Sequence, residues 1–288
     1  MSDGAIEDVP DRFIAEFEIQ RDAEPFSSGS SGKVYRGIWR GAKVVIKYVE
    51  VTTHEEMRSF LHEGKIWHMA RHPNVVTYFG ACHLPRPCFL VSDEAVNGSS
   101  VNYIAREKVR GRSVLWRLMH EAALGLRFLH DSKIIHGDLA CRNILVDTNG
   151  SAKLVDFGMS FLKDSSPTVY VGPIRWTAPE CVLRNQTPSF QSDLYSIGMC
   201  IIEAAIGRDP WGNLSDIEVH YKLAHQEFLA QPAELNDDQW RLVTSLCAFD
   251  PNQRCSLDDA IDQLTALALA EATTYTTRPQ RNHRRTSI

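Results

Sequence analysis

Alternating apolar and polar positions dominate the first 95 or so residues of the chain. Lys33-Val34-Tyr35-Arg36-Gly37-Ile38-Trp39 and Lys43-Val44-Val45-Ile46-Lys47-Tyr48-Val49 both read as strands, rich in β-branched and aromatic side chains. One helical pattern interrupts them. Met57, Phe60, Leu61, Gly64 and Trp67 recur at helical spacing, and Thr52 with Glu55 predicts a capping box ahead of them. The period then changes: Leu115 to His130 is helical, and Ser192 to Ile206 runs from an N-cap to Gly207 at the stop position. A strand-rich part followed by a helix-rich part predicts an α+β fold with two lobes and no internal repeat. From Glu271 to Ile288 large apolar residues nearly vanish, which predicts a disordered basic tail.

Composition narrows the class without naming a function. With 288 residues, 43% of them hydrophobic and 23% charged, the chain is long enough to bury an ordinary core. A net charge of −5 argues against a surface that coats nucleic acid. No apolar run reaches the ~18 residues of a membrane span. The acidic start MSDGAIEDVP resembles neither a secretory leader nor a myristoylation signal. Seven scattered cysteines with no C-x-x-C pair suit reduced thiols, so a cytoplasmic location is expected.

Three stretches carry candidate chemistry. Ser27-Ser28-Gly29-Ser30-Ser31-Gly32-Lys33-Val34 joins two strands with small residues that let backbone N–H groups approach a phosphate, although a plain surface loop has the same look. Lys47 ends an apolar strand, and Glu63 shares a helix face with Phe60 and Trp67, where a carboxylate wants a cation. His136-Gly137-Asp138-Leu139-Ala140-Cys141-Arg142-Asn143 lies between the apolar runs around Ile135 and Leu145, and Asp156-Phe157-Gly158 follows. Two carboxylates and an amide there offer one base and a set of hard oxygen ligands, as Mg²⁺ asks. Pro173-Ile174-Arg175-Trp176-Thr177-Ala178-Pro179-Glu180, Asp193 and Arg254 complete the series.

Together these blocks closely resemble the eukaryotic protein kinase catalytic domain, from about Ile19 to Leu269. Gly37-Ile38-Trp39-Arg40-Gly41 resembles the tyrosine-kinase-like group in particular. The resemblance implies a bilobal fold: an N-terminal extension over 1–17, a small β-rich lobe with one major helix over 18–94, a larger helical lobe over 95–270, and the tail over 271–288. It also implies ATP and Mg²⁺ as cofactors and a protein as substrate. Carried over residue by residue, Gly29, Gly32 and Val34 cover the phosphates and adenine, and Lys47 with Glu63 holds the α/β-phosphates. Asp138 is the catalytic carboxylate, and Asn143 and Asp156 are the metal ligands. Ser92 is the gatekeeper, followed by the hinge from Asp93 to Ala95, with Val45 above adenine and Leu145 also among the cofactor-binding residues. Phe157, His136 and Trp67 are expected to stack as an internal spine, and Glu180 to pair with Arg254.

Departures from the family pattern matter too. Gly137 stands where an arginine usually answers a phosphorylated activation segment, so independence from that phosphorylation is expected. Val45 replaces the usual alanine, Ser27 a glycine, and Cys255 a proline. Ala140, Arg142 and Pro173 resemble tyrosine kinases, whereas Gly-x-Trp-x-Gly belongs to a mostly serine/threonine-specific group. Tyrosine or dual specificity is the expectation, with serine/threonine as its rival. A pseudokinase scaffold is the alternative from another class, disfavoured because Lys47, Glu63, Asp138, Asn143 and Asp156 are all present. A small-molecule phosphotransferase is disfavoured by Ala178-Pro179-Glu180 and Arg254. Ser165, Ser166, Thr168 and Tyr170, or Ser287 in the basic tail, are candidate targets of an upstream kinase. His68 and His72 stand at metal-ligand spacing without a third ligand in view, and Cys82 and Cys88 flank a strand connection.

Overall fold

The computed structural model describes residues 12–29, 32–84, 87–163 and 172–276. Strands β1 (Ile19–Arg21), β2 (Ser27–Gly29), β3 (Gly32–Trp39), β4 (Ala42–Val49), β5 (Tyr78–Cys82) and β6 (Cys88–Asp93) form one antiparallel sheet. Its order is β1-β3-β4-β6-β5, with β2 pairing β3. Alternation along the strands explains its two faces. Val44, Ile46, Phe89 and Val91 point to one side and join Ile14 and Cys82 in a small core. Cys88 and Leu90 point to the other and pack with Phe60 and Trp67 of helix α1 (His54–Met69).

Helix α1 starts one residue later than the pattern predicts. Thr53, not Thr52, is the N-cap and accepts from the Glu56 N–H at 3.1 Å, while Glu56 Oε2 accepts from the Thr53 N–H at 2.9 Å and the Thr52 N–H at 2.7 Å. Glu56 satisfies both donors at once, so the helix starts beyond them. Residues 12–14, placed by sequence in the N-terminal extension, pair with the free edge of β5. The Ile14 N–H donates to Ala81 O at 2.9 Å, the Ala81 N–H donates to Arg12 O at 2.8 Å, and Ile14 is buried. A β-carbon on Gly80 would fall 2.4 Å from Arg12 O, so this close approach requires glycine.

The second lobe is built on helices: α2 (Ser100–Val109), α3 (Leu115–Asp131), α4 (Pro179–Arg184), α5 (Phe190–Ile206), α6 (Asp216–Ala224), α7 (Asp237–Leu246) and α8 (Leu257–Thr276). Every residue of α5 from Ser192 to Ala204 is buried, so this helix is the axis on which the others pack. Its N-cap is Ser189, and Ser192 is the reciprocating partner three positions in, rather than the cap that the pattern suggested. Two short strand pairs lie against the helices: β7 (Ile134–Ile135) with β10 (Phe161–Leu162), and β8 (Ile144–Val146) with β9 (Ala152–Leu154).

The expected loss of structure at Glu271 does not occur there, because α8 continues to Thr276. Glu271 has work at the start of α3: it accepts from the Ser113 hydroxyl at 2.6 Å and from the Trp116 and Arg117 N–H groups at 3.3 and 3.0 Å. A carboxylate on the otherwise orphaned donors of a helix N-terminus ties the end of the chain down. Backbone bonds also stitch the lobes together. Val76 N–H donates to Leu154 O and Leu154 N–H to Asn74 O, both at 2.9 Å.

Candidate active site

Lys47 lies on β4 with its side chain on the face opposite Val44 and Ile46. Its Nζ is 2.9 Å from Glu63 Oε1 on α1 and 3.1 Å from Asp156 Oδ1. Burial disfavours the ammonium, but the two carboxylates outweigh it and hold its pKa above the ordinary lysine value. Burial likewise pushes Glu63 up against the pull of Lys47. At Asp156 burial is outweighed by the Lys47 ammonium, which holds the carboxyl below its usual range. Asp156 has a left-handed backbone, φ 64°, a strained conformation of the kind found at functional sites.

Asp138 faces this cluster from the loop between β7 and β8. Asn143 Nδ2 donates to its backbone oxygen at 2.8 Å and to Oδ2 at 3.0 Å, and Arg142 donates to Oδ1 at 2.7 Å. Burial pushes the Asp138 carboxyl up, against the attraction of Arg142 and His136. The loop hangs from Asp193 on α5, whose Oδ2 accepts from the His136 N–H and Oδ1 from the Gly137 N–H, each at 2.9 Å; the His130 ring Nε2 also lies 2.9 Å from Oδ2. Gly137 has φ 77°, where a side chain costs about 1–2 kcal/mol, so glycine suits the turn that presents both donors to Asp193.

The expected spine is assembled. Phe157 stands between Trp67 and His136, with ring centroids 5.7 and 5.6 Å away. Tyr78 extends it by stacking on Trp67 at 5.5 Å. Each such pair is worth about 0.5–1.5 kcal/mol beyond burial, and the column runs from β5 through α1 to the loop of Asp138.

Sheet register explains which residues share the face of Lys47. Directly paired residues point to the same side, and Val34 pairs Lys47 while Val45 pairs Ser92. Val34, Val45, Ala95 and Leu145 are half-buried, Ser92 is buried and Asp93 is exposed. Leu145 is brought beside the segment that joins β6 to α2 by the bridge of its backbone to Ser99. Gly29 and Gly32 close the β2–β3 hairpin as a pair. A β-carbon on Gly32 would sit 2.0 Å from Tyr48 O, so packing by itself demands a glycine there.

Farther out, Arg254 holds Glu180 through two bonds, at 2.8 and 2.7 Å, with its side chain fully buried. Sequence reasoning missed two positioning groups. Glu203 accepts from the Cys141 N–H at 2.9 Å and from Trp176 Nε1 at 2.8 Å, tying the Asp138 loop to the 173–176 segment. Its signal was present: a lone carboxylate in the apolar run Ile201-Ile202-Glu203-Ala204. Arg175 donates to Pro210, Gly212 and Leu214 carbonyls, contacts that no local pattern announces.

Several expectations fall elsewhere. Ser165, Ser166, Thr168, Tyr170 and Ser287 lie outside the described residues. Cys82 and Cys88 end and begin neighbouring strands, and all seven cysteines are free. Cys141, Cys200 and Glu203 bring three donor atoms within 4.8 Å of one another, but the Cys141 thiol donates to the Cys200 carbonyl, and Glu203 is occupied as above. No helix among the described residues is long and apolar enough to cross a membrane.

What the arrangement offers is a cation held between two carboxylates, facing an aspartate and an amide across a cleft. Asn143 spends its amide N–H groups on Asp138, which turns its oxygen the other way, and Asp156 is ionised; these hard oxygens fit Mg²⁺. The family model described as "Protein tyrosine and serine/threonine kinase" matches residues 21–264. Serine/threonine-protein kinase CTR1 of Arabidopsis thaliana is 33% identical over 256 residues, covering 85% of this chain and 31% of that protein. The tyrosine-protein kinase transforming protein Fps of Fujinami sarcoma virus is 29% identical over 269 residues, covering 90% and 31%. Dual specificity protein kinase pyk3 of Dictyostelium discoideum is 29% identical over 247 residues, covering 85% and 18%. The chain thus spans about a third or less of the length of these relatives. The match of the family model over residues 21–264, together with the cluster around Lys47, leads to one assignment: this chain belongs to the protein tyrosine and serine/threonine kinase family.

Proposed function

We propose that this chain transfers the γ-phosphoryl group of ATP to a hydroxyl of a protein substrate, with Mg²⁺, in the cytoplasm. The observation that carries the reading is Lys47 paired at once with Glu63 and Asp156, opposite Asp138 and Asn143. In this reading residues 18–94 and 95–270 are the two lobes that close on the nucleotide. Val34, Val45, Ser92, Asp93, Ala95 and Leu145 surround the adenine, and the hairpin of Gly29 and Gly32 lies over the phosphates.

Lys47, kept charged and oriented by Glu63, binds the α/β-phosphates. Asp138 accepts the proton of the substrate hydroxyl as its oxygen bonds to the γ-phosphorus and the bond to the β-phosphate oxygen breaks, releasing ADP. Asn143 and Asp156 would hold Mg²⁺, which supplies neutralisation of charge on the phosphoryl oxygens. Arg142 lies over the Trp176 ring at 5.3 Å and bonds Asp138, so the acceptor platform is joined to the catalytic carboxylate. With Ala140 and Pro173 this supports tyrosine or dual specificity over serine/threonine.

Incubation with labelled ATP and Mg²⁺ tests the reading, using wild type and Asp138→Asn and analysing the phosphorylated residues by mass spectrometry. Transfer by wild type and loss of at least a hundredfold in the variant is expected. The ratio of phosphotyrosine to phosphoserine and phosphothreonine decides the acceptor. Equal, negligible transfer by both proteins, with ATP still bound, would put the pseudokinase reading in its place.

A further inference from the structure

Away from the inter-lobe cleft, a cavity of about 430 Å³ opens where the end of α1, the segment after it and β9 meet. Arg12, His68, Arg71, His72 and Lys153 line it together with the hydroxyl-bearing Thr77 and Tyr78, and no carboxylate is among the lining residues. This is unusual on a chain of net charge −5. Like charges gathered round one hollow repel one another and need a compensating anion.

The internal compensation is small. Lys153 Nζ is 3.5 Å from Asp147 Oδ2, while Asp147 Oδ1 accepts from the Asn149 and Ser151 N–H groups. Arg12 and Arg71 form no side-chain hydrogen bond or ion pair among the described residues. His72 stacks on Phe128 and accepts from the Asn74 N–H through Nδ1. Its pKa is pushed down by burial and then by the nearby Arg127 and Lys153 charges, which reports the positive field. His68 Nδ1 is buried without any hydrogen-bond partner, a costly condition for a polar atom unless something else supplies one.

The remaining walls are apolar and aromatic, including Trp67, Tyr78, Val75 and Pro73. We infer that this cavity is a binding site for a phosphate monoester, with the exposed Arg12 and Arg71 as the cations that clasp the phosphoryl dianion. Guanidinium groups suit phosphate because their forked donors match its oxygens. Lys153 supplies a fixed charge, and the apolar wall receives the group that carries the phosphate. Trp67 and Tyr78, which line the cavity, are also the outer two rings of the aromatic column that ends at Phe157 and His136. A ligand seated there therefore bears on the column from outside the nucleotide cleft.

The test is calorimetric titration of the full chain with inorganic phosphate, phenyl phosphate and a phosphotyrosine peptide, repeated with Arg71→Ala and Arg12→Ala. Both arginines are at the surface, and unchanged thermal melting checks that the variants are folded. Saturable binding of phenyl phosphate that weakens at least tenfold in each variant is expected. Tighter binding of phenyl phosphate or peptide than of inorganic phosphate assigns the site to a phosphorylated partner, and equal binding assigns it to the free ion. No saturable binding, or binding that survives both substitutions unchanged, overturns the inference. Because the two arginines lie outside the cleft of Lys47, failure here leaves the kinase reading standing, and the converse also holds.

Discussion

Lys47, Glu63 and Asp156 are far apart in sequence and touch only because a strand, a helix and a loop converge on one point. At this scale charge decides stability. Asp156 has its pKa depressed in the fold, so its contribution is present above the unfolded value of about 3.9 and lost as pH falls through the folded one. Lys47 has its pKa raised, so its contribution is complete below the unfolded value of about 10.4 and lost as pH rises through the folded one. Replacing the lysine strands two carboxylates without a cation. Lys47→Met is expected to lose about 3 kcal/mol at pH 7, and less at pH 4.5, where those carboxyls take up protons. Chemical denaturation at the two pH values checks this; an equal loss at both would mean that packing, not charge, is what the lysine supplies.

At the scale of the element, periodicity reads well and boundaries read poorly. The strands around Val34 and Val45 and the helices through Phe60, Phe128 and Ile197 were legible, because each buries one face or, for α5, all of it. The caps were displaced by one to three residues, since neighbouring Thr or Ser residues compete for the same role. Residues 12–14 were illegible as a segment docked on the sheet, because a single bridge at Phe13 has no period of its own. Their docking depends on the missing side chain of Gly80. Gly80→Ala is expected to push the segment off β5, exposing Ile14 and costing about 1–3 kcal/mol. Hydrogen exchange at the Ile14 and Ala81 amides should accelerate while exchange in α5 stays slow; unchanged protection at Ile14 would refute the account.

At the scale of the molecule, α5 organises the second lobe and sends carboxylates to both ends of the loop that carries Asp138. Asp193 takes the N–H groups of His136 and Gly137, and Glu203 that of Cys141. Arg254 reaches from beyond α7 to Glu180 and to the Gln191 carbonyl at the start of α5, so it braces the segment after Trp176 against this axis. Arg254→Ala leaves Glu180 buried and unpaired, a change that costs about 3–5 kcal/mol. Thermal melting is expected to show that loss, with Arg254→Lys recovering only part of it because the two-pronged geometry is gone. Full recovery by lysine would show that charge suffices and that the paired geometry adds nothing.

Chain order by itself determined the family, the two-lobed α+β plan and the identity of the residues around the cleft. These depend on residue types at set spacings, and spacing survives in one dimension. Only the tertiary structure decided what each of those residues touches. The Tyr78 ring completing the aromatic column, the Glu271 carboxylate on the start of α3, and the basic hollow lined by Arg12, Arg71 and Lys153 all join segments distant in sequence. Such contacts arise when elements bury their apolar faces against one another, and the polar groups carried along find partners that no local pattern records.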